Sequence, residues 1–456
     1  MPRTTAQKIF RIFGWTFGAI VFLALTTLTR IDWRDYKELD YYLETVAHLD
    51  SLSLVSSEGE IWLAGWSSVN ATPSTPAKLV GYKPRGRYEF VQDSNFVKTV
   101  VISNGTSTVA FLNYELMIVH PYLQGRINQA ISESGLALDK VYFTATHTHS
   151  GIGGHIPGLL GKLAFGGYDD NIVKFLEAKT LEGLKSAMSS LDTAEVFFRK
   201  TKADTLVANR LIAEDPIDPY IRQLIFEKRN GKKGTILTYS AHPTILNSKF
   251  MGLSGDYPNY LTKLMEQQEG YDFSFFAAGT VGSHRPVATG NQPDDVESYA
   301  FALNRNLSEN IHEVFPVEEP NLKFGNLPLG LRKAHFRISE KVRIRPWIFN
   351  SIFGDTNAHF DMVQIGKTLF ISSSGEISGV FMKQWENYAA EKGLHLIITC
   401  FNGGYIGYIT PDNYYNYPLY EARDMNWFGP YNGAYFDEMI RKMIDKAAGQ
   451  EPMALK

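Results

Sequence analysis

Two histidines spaced two residues apart, His147 and His149, end the strand-like run KVYFTATHTH and are followed at once by SGIGG. Successive side chains on a strand alternate faces, so residues two apart are expected to share one. Paired imidazoles at a strand end suit a metal or a proton-transfer site, and equally a hydrogen-bonded polar pair that closes the strand. Other apolar runs also stop at a ligand-type residue. GTILTYSAHPTIL carries His242, with Pro243 ending the strand. KTLFISSSGEISG delivers Glu376 just after Gly375, at the expected entrance to the next helix, and LHLIITCFNGGYIGYIT delivers Tyr405 and Tyr408 after a Gly-Gly pair. Two neutral imidazoles and a carboxylate make a common zinc set with room for a reacting water. Singly, a strand-end histidine is often structural, and a glutamate opening a helix often only complements the helix N-terminus. Their shared context points to one site, because α/β folds gather sites beyond the carboxyl ends of strands.

Those strand ends need a scaffold. From about residue 60 onward, short β-rich runs alternate with helical ones. KTVVISN, STVAFLNYELMIV and KVYFTAT have strand composition. NIVKFLEAKTLEGLKSAM and GVFMKQWENYAAEKG carry apolar residues at helical spacing, the second closing on Gly393. EVFFRKTKADTLVA and QLIFEKRNGKKGTILTYSA read as antiparallel strands, the latter pair turning at RNGKKG. The mixture predicts an α/β domain of mixed β-sheets flanked by helices, spanning residues 59–456 with no internal linker. At 456 residues and 44% hydrophobic content the chain can bury a large core, and a net charge of -3 offers no basic footprint for nucleic acid. A single cysteine, Cys400, excludes an intramolecular disulfide and a cysteine-based zinc cluster.

The N-terminus has a different character. Arg3, Lys8 and Arg11 lead into the apolar run IFGWTFGAIVFLALTTL, which Arg30 closes. The run is about long enough to cross a bilayer, and the leading positive charges favour a cytoplasmic N-terminus with the rest exported. A cleaved signal peptide is the competing reading, but TTLTRIDW offers no small-x-small cleavage site. Residues 1–30 are therefore read as a single-pass membrane anchor that leaves the body outside the cytoplasm, periplasmic or extracellular. Residues 31–58 are read as a helical, charged stalk.

Several familiar motifs fail. IGKT lacks the upstream glycine of a phosphate-binding loop, Asp361 standing in its place. GIGGHI has Ile156 where a dinucleotide fingerprint needs its third glycine. No G-x-S-x-G elbow occurs, which weighs against an α/β-hydrolase.

A series of landmarks in order does resemble a known family. LAGWSSVNATPSTPAKLVGY is similar to the opening segment of the neutral (non-lysosomal) ceramidases, and ATHTHSGIGG to their H-T-H-S-G-x-G-G signature. ANR at 208–210, AHPTIL, SSSGEISG and YIGYITPDNYYNYPLYE resemble the elements that follow. These enzymes are zinc amidases that hydrolyse the N-acyl bond of ceramide, and the resemblance implies a layered αββα fold. It implies zinc ligands at His147, His242, Glu376 and Tyr408, with His149 beside the activated water. It also implies Arg210 near the substrate amide and Tyr420 at the developing oxyanion, and Tyr420 keeps the family's register twelve residues after Tyr408. Choosing Tyr408 over Tyr405 rests on the family alone.

Two departures bear on substrate. Where the family has G-D-x-S, this chain has AAGTVGSHRP, with Thr280 at the acid's place and Gly282 or Ser283 near the serine's. No catalytic role is assigned to Ser283, and His155 and His284 are expected either to be structural or to support the site residues from behind. The sequence stops soon after YFDEMIRKMIDKA, short of the family's additional C-terminal domain. The expected partner is an N-acyl lipid of ceramide type. Because zinc polarises carbonyl and phosphoryl oxygens alike, an esterase or phosphoester hydrolase acting on another lipid is a rival reading. A non-catalytic zinc-containing binding ectodomain is another. HIPGLLGKLAF (155–165) and RIRPWIFNSIF (343–353) are apolar enough to line a lipid path or lie at a membrane interface, or else to pack internally.

Overall fold

A computed structural model describes residues 5–82, 85–310, 312–354 and 356–449, so that Arg3 lies outside the described residues. Among these residues two sheets lie face to face. The larger has nine strands. Eight of them run in the order Phe273–Ala278, Lys233–Tyr239, Tyr220–Lys228, Asp192–Lys202, Leu63–Asn70, Phe96–Ser103, Thr108–Tyr114 and Lys140–Ala145, and His312–Pro316 pairs with Asp192–Lys202. Pairing is antiparallel except at the two ends, where Lys233–Tyr239 meets Phe273–Ala278 and Thr108–Tyr114 meets Lys140–Ala145 in parallel. The smaller sheet orders Val55–Glu58, Asn321–Pro328, His359–Ile365, Thr368–Ser373 and His395–Cys400, its last pair parallel. The predicted hairpin at RNGKKG forms, joining Tyr220–Lys228 to Lys233–Tyr239.

Side-chain alternation explains the layering. Along Phe96–Ser103, Val100 and Ile102 join Phe111, Tyr142, Leu322, Phe324, Val363 and Phe370 in the core between the sheets. Val97 and Val101 face the other way, in the cluster that holds Leu176, Leu184 and Ala187 of the helix Asp170–Ser189. The outer face of the smaller sheet, with Met362, Leu369 and Ile371, is covered by Trp385 of Met382–Glu391 and by Phe436, Met439 and Met443 of Asn432–Ala447. Helices Asp256–Gln268 and Pro293–Glu309 cover the far end of the large sheet. The result is the αββα arrangement, in which each sheet buries both faces.

One ion pair crosses between the sheets. Lys140, at the start of its strand in the large sheet, reaches Asp361 in the smaller one. His359 Nε2 lies 3.4 Å from the same carboxylate, and Asn326 donates to it at 3.0 Å. Burial alone would raise the Asp361 carboxyl, but Lys140 and His359 overcome it and hold the group below the usual carboxylate range. The residue that breaks the phosphate-loop pattern in the sequence is thus an inter-sheet anchor.

The segment expected to be a stalk is docked instead. Its helix forms, over Asp40–Ser51, but Leu49 is fully buried. Tyr36 and Tyr42 both donate to Glu438 at 2.7 Å, and Thr45 bonds Tyr435 at 2.8 Å. Val55–Glu58 then joins the smaller sheet as its edge strand. Apolar and tyrosine side chains gathered on one side make this segment part of the body. The preceding helix, Thr5–Thr27, buries no residue against the rest of the chain.

Removing Lys140 would leave Asp361 buried without its main partner, a change that costs about 3–5 kcal/mol in comparable sites. Lys140→Met is therefore expected to lower unfolding stability at pH 7 by that order. A carboxyl held low in the folded state stabilises above its unfolded value of about 3.9 and loses that contribution as pH falls further. The gap between variant and wild type should accordingly narrow below about pH 4 in chemical denaturation. An unchanged gap across that range would show that the pair is not the cause.

Candidate active site

The strand Lys140–Ala145 ends two residues before His147, which is held at φ 63°. The expectation that His147 and His149 share a strand face is therefore replaced by a turn, and the turn itself brings the rings together. A non-glycine residue in the left-handed region is uncommon and persists where its surroundings fix it. Here the His147 amide donates to Leu116 O at 3.0 Å, and Nδ1 donates to Met117 O at 2.6 Å. The ring stacks on Phe401 at 4.0 Å and 6°, and Phe401 is itself at φ 68°.

His242 arrives from the end of Lys233–Tyr239, its Nδ1 donating to Val281 O at 3.2 Å. With those protons committed to carbonyls, Nε2 of His147 and of His242 are left as ligand atoms, 3.1 Å apart. His149 Nε2 completes a triangle at 3.3 Å from His147 and 2.9 Å from His242. Burial, reinforced by His147 and Arg210, holds His149 well below the usual imidazole range. Burial, reinforced by Arg210 and His147, does the same for His242. Both rings are thus neutral, the form that coordinates metal.

Glu376 follows the end of the smaller-sheet strand Thr368–Ser373. Rather than opening a helix, it lies in the short strand Glu376–Ile377, parallel to Tyr408–Ile409, and Glu376 is the register partner of Tyr408. A turn at Gly379–Phe381 separates it from the helix Met382–Glu391. Glu376 Oε1 accepts from Tyr405 at 2.9 Å, and Oε2 lies 3.5 Å from His147 Nε2. Burial would raise this carboxyl, but His147 and the tyrosine hydroxyls keep it below its ordinary value. Oε2 is buried yet makes no hydrogen bond within the protein.

Arg210 donates to the Tyr408 hydroxyl at 3.1 Å and to Gly282 O at 3.3 Å, and pairs with Glu421 at 3.0 Å. The Tyr420 ring sits 6.3 Å from that of Tyr408 and is 57% exposed, at the mouth of the site. Partial desolvation, with Glu376 and Glu421 nearby, pushes its hydroxyl up to about 12, so it remains a proton donor. All seven residues singled out in the sequence, His147, His149, Arg210, His242, Glu376, Tyr408 and Tyr420, therefore meet in one place.

Ser283 has a different use. Its Oγ meets His284 Nδ1 at 2.8 Å, Ser378 Oγ at 2.8 Å and the Gly379 amide at 3.0 Å. His284 Nε2 accepts from the Asp218 amide at 2.7 Å, so its proton is on Nδ1 and is donated to the serine. An imidazole that donates to a hydroxyl cannot take its proton, and Ser283 is a buried clamp rather than a nucleophile. The clamp ties the Glu376 segment to the His242 segment. Gly282 makes the approach possible, because a Cβ there would collide with the Glu376 carbonyl. Thr280, in the acid's place, bonds Ser240 at 2.9 Å. His155 is fully buried, and that burial holds its ring well below the usual imidazole range.

Three participants escaped sequence reasoning. Phe401 gave no signal, since its role is a stacking contact made at positive φ. Glu421 follows Tyr420 directly, but its partner Arg210 is remote in sequence. Arg85, which donates to the carbonyl of His149, lies in a polar loop with no motif.

Among the described residues His147, His149 and His242 form a group able to hold a metal. Ligand atoms about 2.0–2.1 Å from a tetrahedral zinc lie about 3.3 Å from one another, close to the 2.9–3.3 Å seen here. The unbonded Glu376 Oε2 supplies a charged donor beside them. The residues fit a divalent metal of zinc's preferences.

A family profile described as "Neutral/alkaline non-lysosomal ceramidase, N-terminal" matches residues 65–297. The solved structure of neutral ceramidase from Pseudomonas aeruginosa superposes with a TM-score of 0.70 at 17% identity, covering 87% of this chain and 76% of that one. A ceramidase complexed with C2 gives 0.70 at 16% identity, covering 87% and 77%. At such identities the superpositions speak for the fold.

Purified protein is expected to carry about one zinc per chain, and His147→Ala, His242→Ala and Glu376→Ala each to lose most of it by elemental analysis. His149→Ala should keep it if that ring serves the reacting water and not the metal. Metal-free wild type, or full occupancy in all three ligand variants, would contradict the site.

Proposed function

Because this chain belongs to the neutral/alkaline non-lysosomal ceramidase family, a family of hydrolases, we propose that it is a zinc-dependent amidase acting on the N-acyl bond of ceramide or a related N-acyl lipid. The observation that carries this reading is the meeting of three imidazole Nε2 atoms, 2.9–3.3 Å apart, with the unbonded carboxylate oxygen of Glu376. His147, His242, Glu376 and Tyr408 would hold the metal, as the family resemblance implies. When bound, zinc supplies Lewis acidity that polarises a carbonyl and brings the pKa of water to about 7.

The chain's own groups account for the rest. Burial and Glu376 push the Tyr408 phenol well above its ordinary value, while Arg210, whose guanidinium donates to its oxygen, opposes that shift. Arg210 thereby favours the form of Tyr408 that can act as a ligand, and Glu421 fixes the guanidinium in place. His149, neutral because it is buried, accepts a proton from the attacking water and passes it to the departing amine. Tyr420 donates to the oxyanion from the mouth of the pocket. Tyr420, at the mouth of the site, is not required merely to retain a metal, which speaks for catalysis over a binding ectodomain.

We further read Thr5–Thr27 as a single-pass anchor. Its 23 residues span about 35 Å, enough to cross a bilayer, and Lys8 and Arg11 mark its cytoplasmic end. The catalytic body then lies outside the cytoplasm, at a surface where long-chain N-acyl lipids reside.

Tyr420→Phe is expected to keep zinc and fold but to lower turnover about 10²-fold, as loss of an oxyanion donor does. Mass spectrometry of products from matched N-acyl lipids, esters and phosphoesters should show a free fatty acid and a free amine first. Preferential cleavage of the ester or phosphoester series would transfer the site to another hydrolase class.

A further inference from the structure

The anchor helix is pinned to the body. Thr5–Thr27 runs into the strand Leu28–Arg30, which pairs antiparallel with Val342–Ile344. A helix C-terminus leaves its last carbonyls without intrahelical partners. Here the Arg345 amide donates to Thr27 O at 2.7 Å, its guanidinium to Leu25 O at 2.9 Å, and Trp347 Nε1 to Thr26 O at 3.2 Å. The foot of the anchor is therefore fixed to the first turn of the helix Pro346–Phe353.

That helix has eight residues, about 12 Å of length. It buries Phe349 and leaves Trp347 59% exposed. The short helix Gly158–Ala164 packs beside it, burying Leu160 and exposing Leu159 and Leu163. Between the two lies a cavity of about 500 Å³ lined by His120, Tyr122, Leu159, Ile352 and Phe353, within the usual size of a small-molecule site. A run of rings leads inward from it: Phe353 meets Trp427 at 4.4 Å, and Trp427 meets Tyr405 at 5.7 Å. The Tyr405 hydroxyl then bonds Glu376. Around the joint, Arg30, Lys333 and Lys341 are exposed.

We infer that Gly158–Ala164 and Pro346–Phe353 form a platform that rests on the phospholipid bilayer beside the anchor, and that the cleft between them admits the acyl chain of a membrane-resident lipid to the site. The inference builds on the anchor and N-acyl lipid readings above. Continuity with the anchor selects the bilayer over a protein partner, since the hydrogen-bonded joint holds this face within about one short helix of the point where the chain leaves the membrane. Tryptophan at that level matches the interfacial zone of a bilayer. Leucine side chains exposed there are covered by lipid instead of facing water.

Spin labels decide the surface without any turnover. Cys400 is the sole cysteine, buried, with its thiol raised to about 12, so introduced cysteines can be labelled selectively. The full chain would be reconstituted in vesicles of phosphatidylcholine with an anionic phospholipid, carrying a label at Val21→Cys, Leu163→Cys or Asn230→Cys. Val21 and Leu163 should be more accessible to oxygen than to a nickel chelate, whereas Asn230, on the hairpin opposite the strand ends that carry the site, should be aqueous. An aqueous Leu163 with Val21 in lipid overturns the platform and keeps the anchor; an aqueous Val21 overturns both. In the same vesicles Leu163→Glu should lower ceramide hydrolysis about tenfold or more, with a soluble short-chain amide cleaved at the wild-type rate. Equal loss on both substrates, or none on ceramide, would overturn lipid access through the cleft. A wild-type chain that cleaves neither would sink the amidase reading, and with it lipid access, while the labels still decide the surface.

Discussion

Three imidazole nitrogens lie within 3.3 Å of one another in a largely buried region, and much of the fold serves to make that arrangement tolerable. Crowded imidazolium ions would repel, and burial penalises the charged form, so the rings of His149 and His242 are kept neutral. Backbone carbonyls of Met117 and Val281 fix the protons of His147 and His242 on the nitrogens facing away from the centre. The same requirement explains the strained backbone at His147 and the aromatic ring stacked against it. Neither would persist without a packed wall behind it.

No single sheet supplies both the imidazoles and the carboxylate. His147 and His149 follow one end strand of the large sheet, and His242 follows a strand near its other end. Glu376 and Tyr408 sit on a separate two-stranded pair that is reached from the ends of two strands of the smaller sheet. The site thus depends on the two sheets holding their relative position, which the apolar core between them and the buried Lys140–Asp361 pair secure. Closer in, Ser283 and His284 tie the Glu376 segment to the His242 segment through hydrogen bonds of 2.8–3.0 Å. A serine that invites comparison with a nucleophile instead sets where a carboxylate stands.

The sequence was most legible where the relevant physics is local. Alternation and helical spacing located the main strands and helices, and strand ends carrying His, Glu or Tyr marked the site before any geometry was known. Remote contacts were not legible. The segment 31–58 reads as a free stalk because its partners, Glu438 and Tyr435, lie nearly the whole chain away. Glu376 reads as a helix opener because a two-residue strand paired with Tyr408 has no periodicity to detect. The left-handed turn at His147 leaves no trace either, since the usual sign of positive φ is a glycine, and here packing against Phe401 substitutes for it.

The central claim is that strand ends from both sheets hold one metal between them. Anomalous diffraction at the zinc edge, on crystals grown with zinc, tests it most directly. The account predicts a single strong peak within about 2.0–2.2 Å of Nε2 of His147 and His242 and of a Glu376 carboxylate oxygen. A peak held elsewhere, or bound by histidines of the large sheet without Glu376, would contradict it.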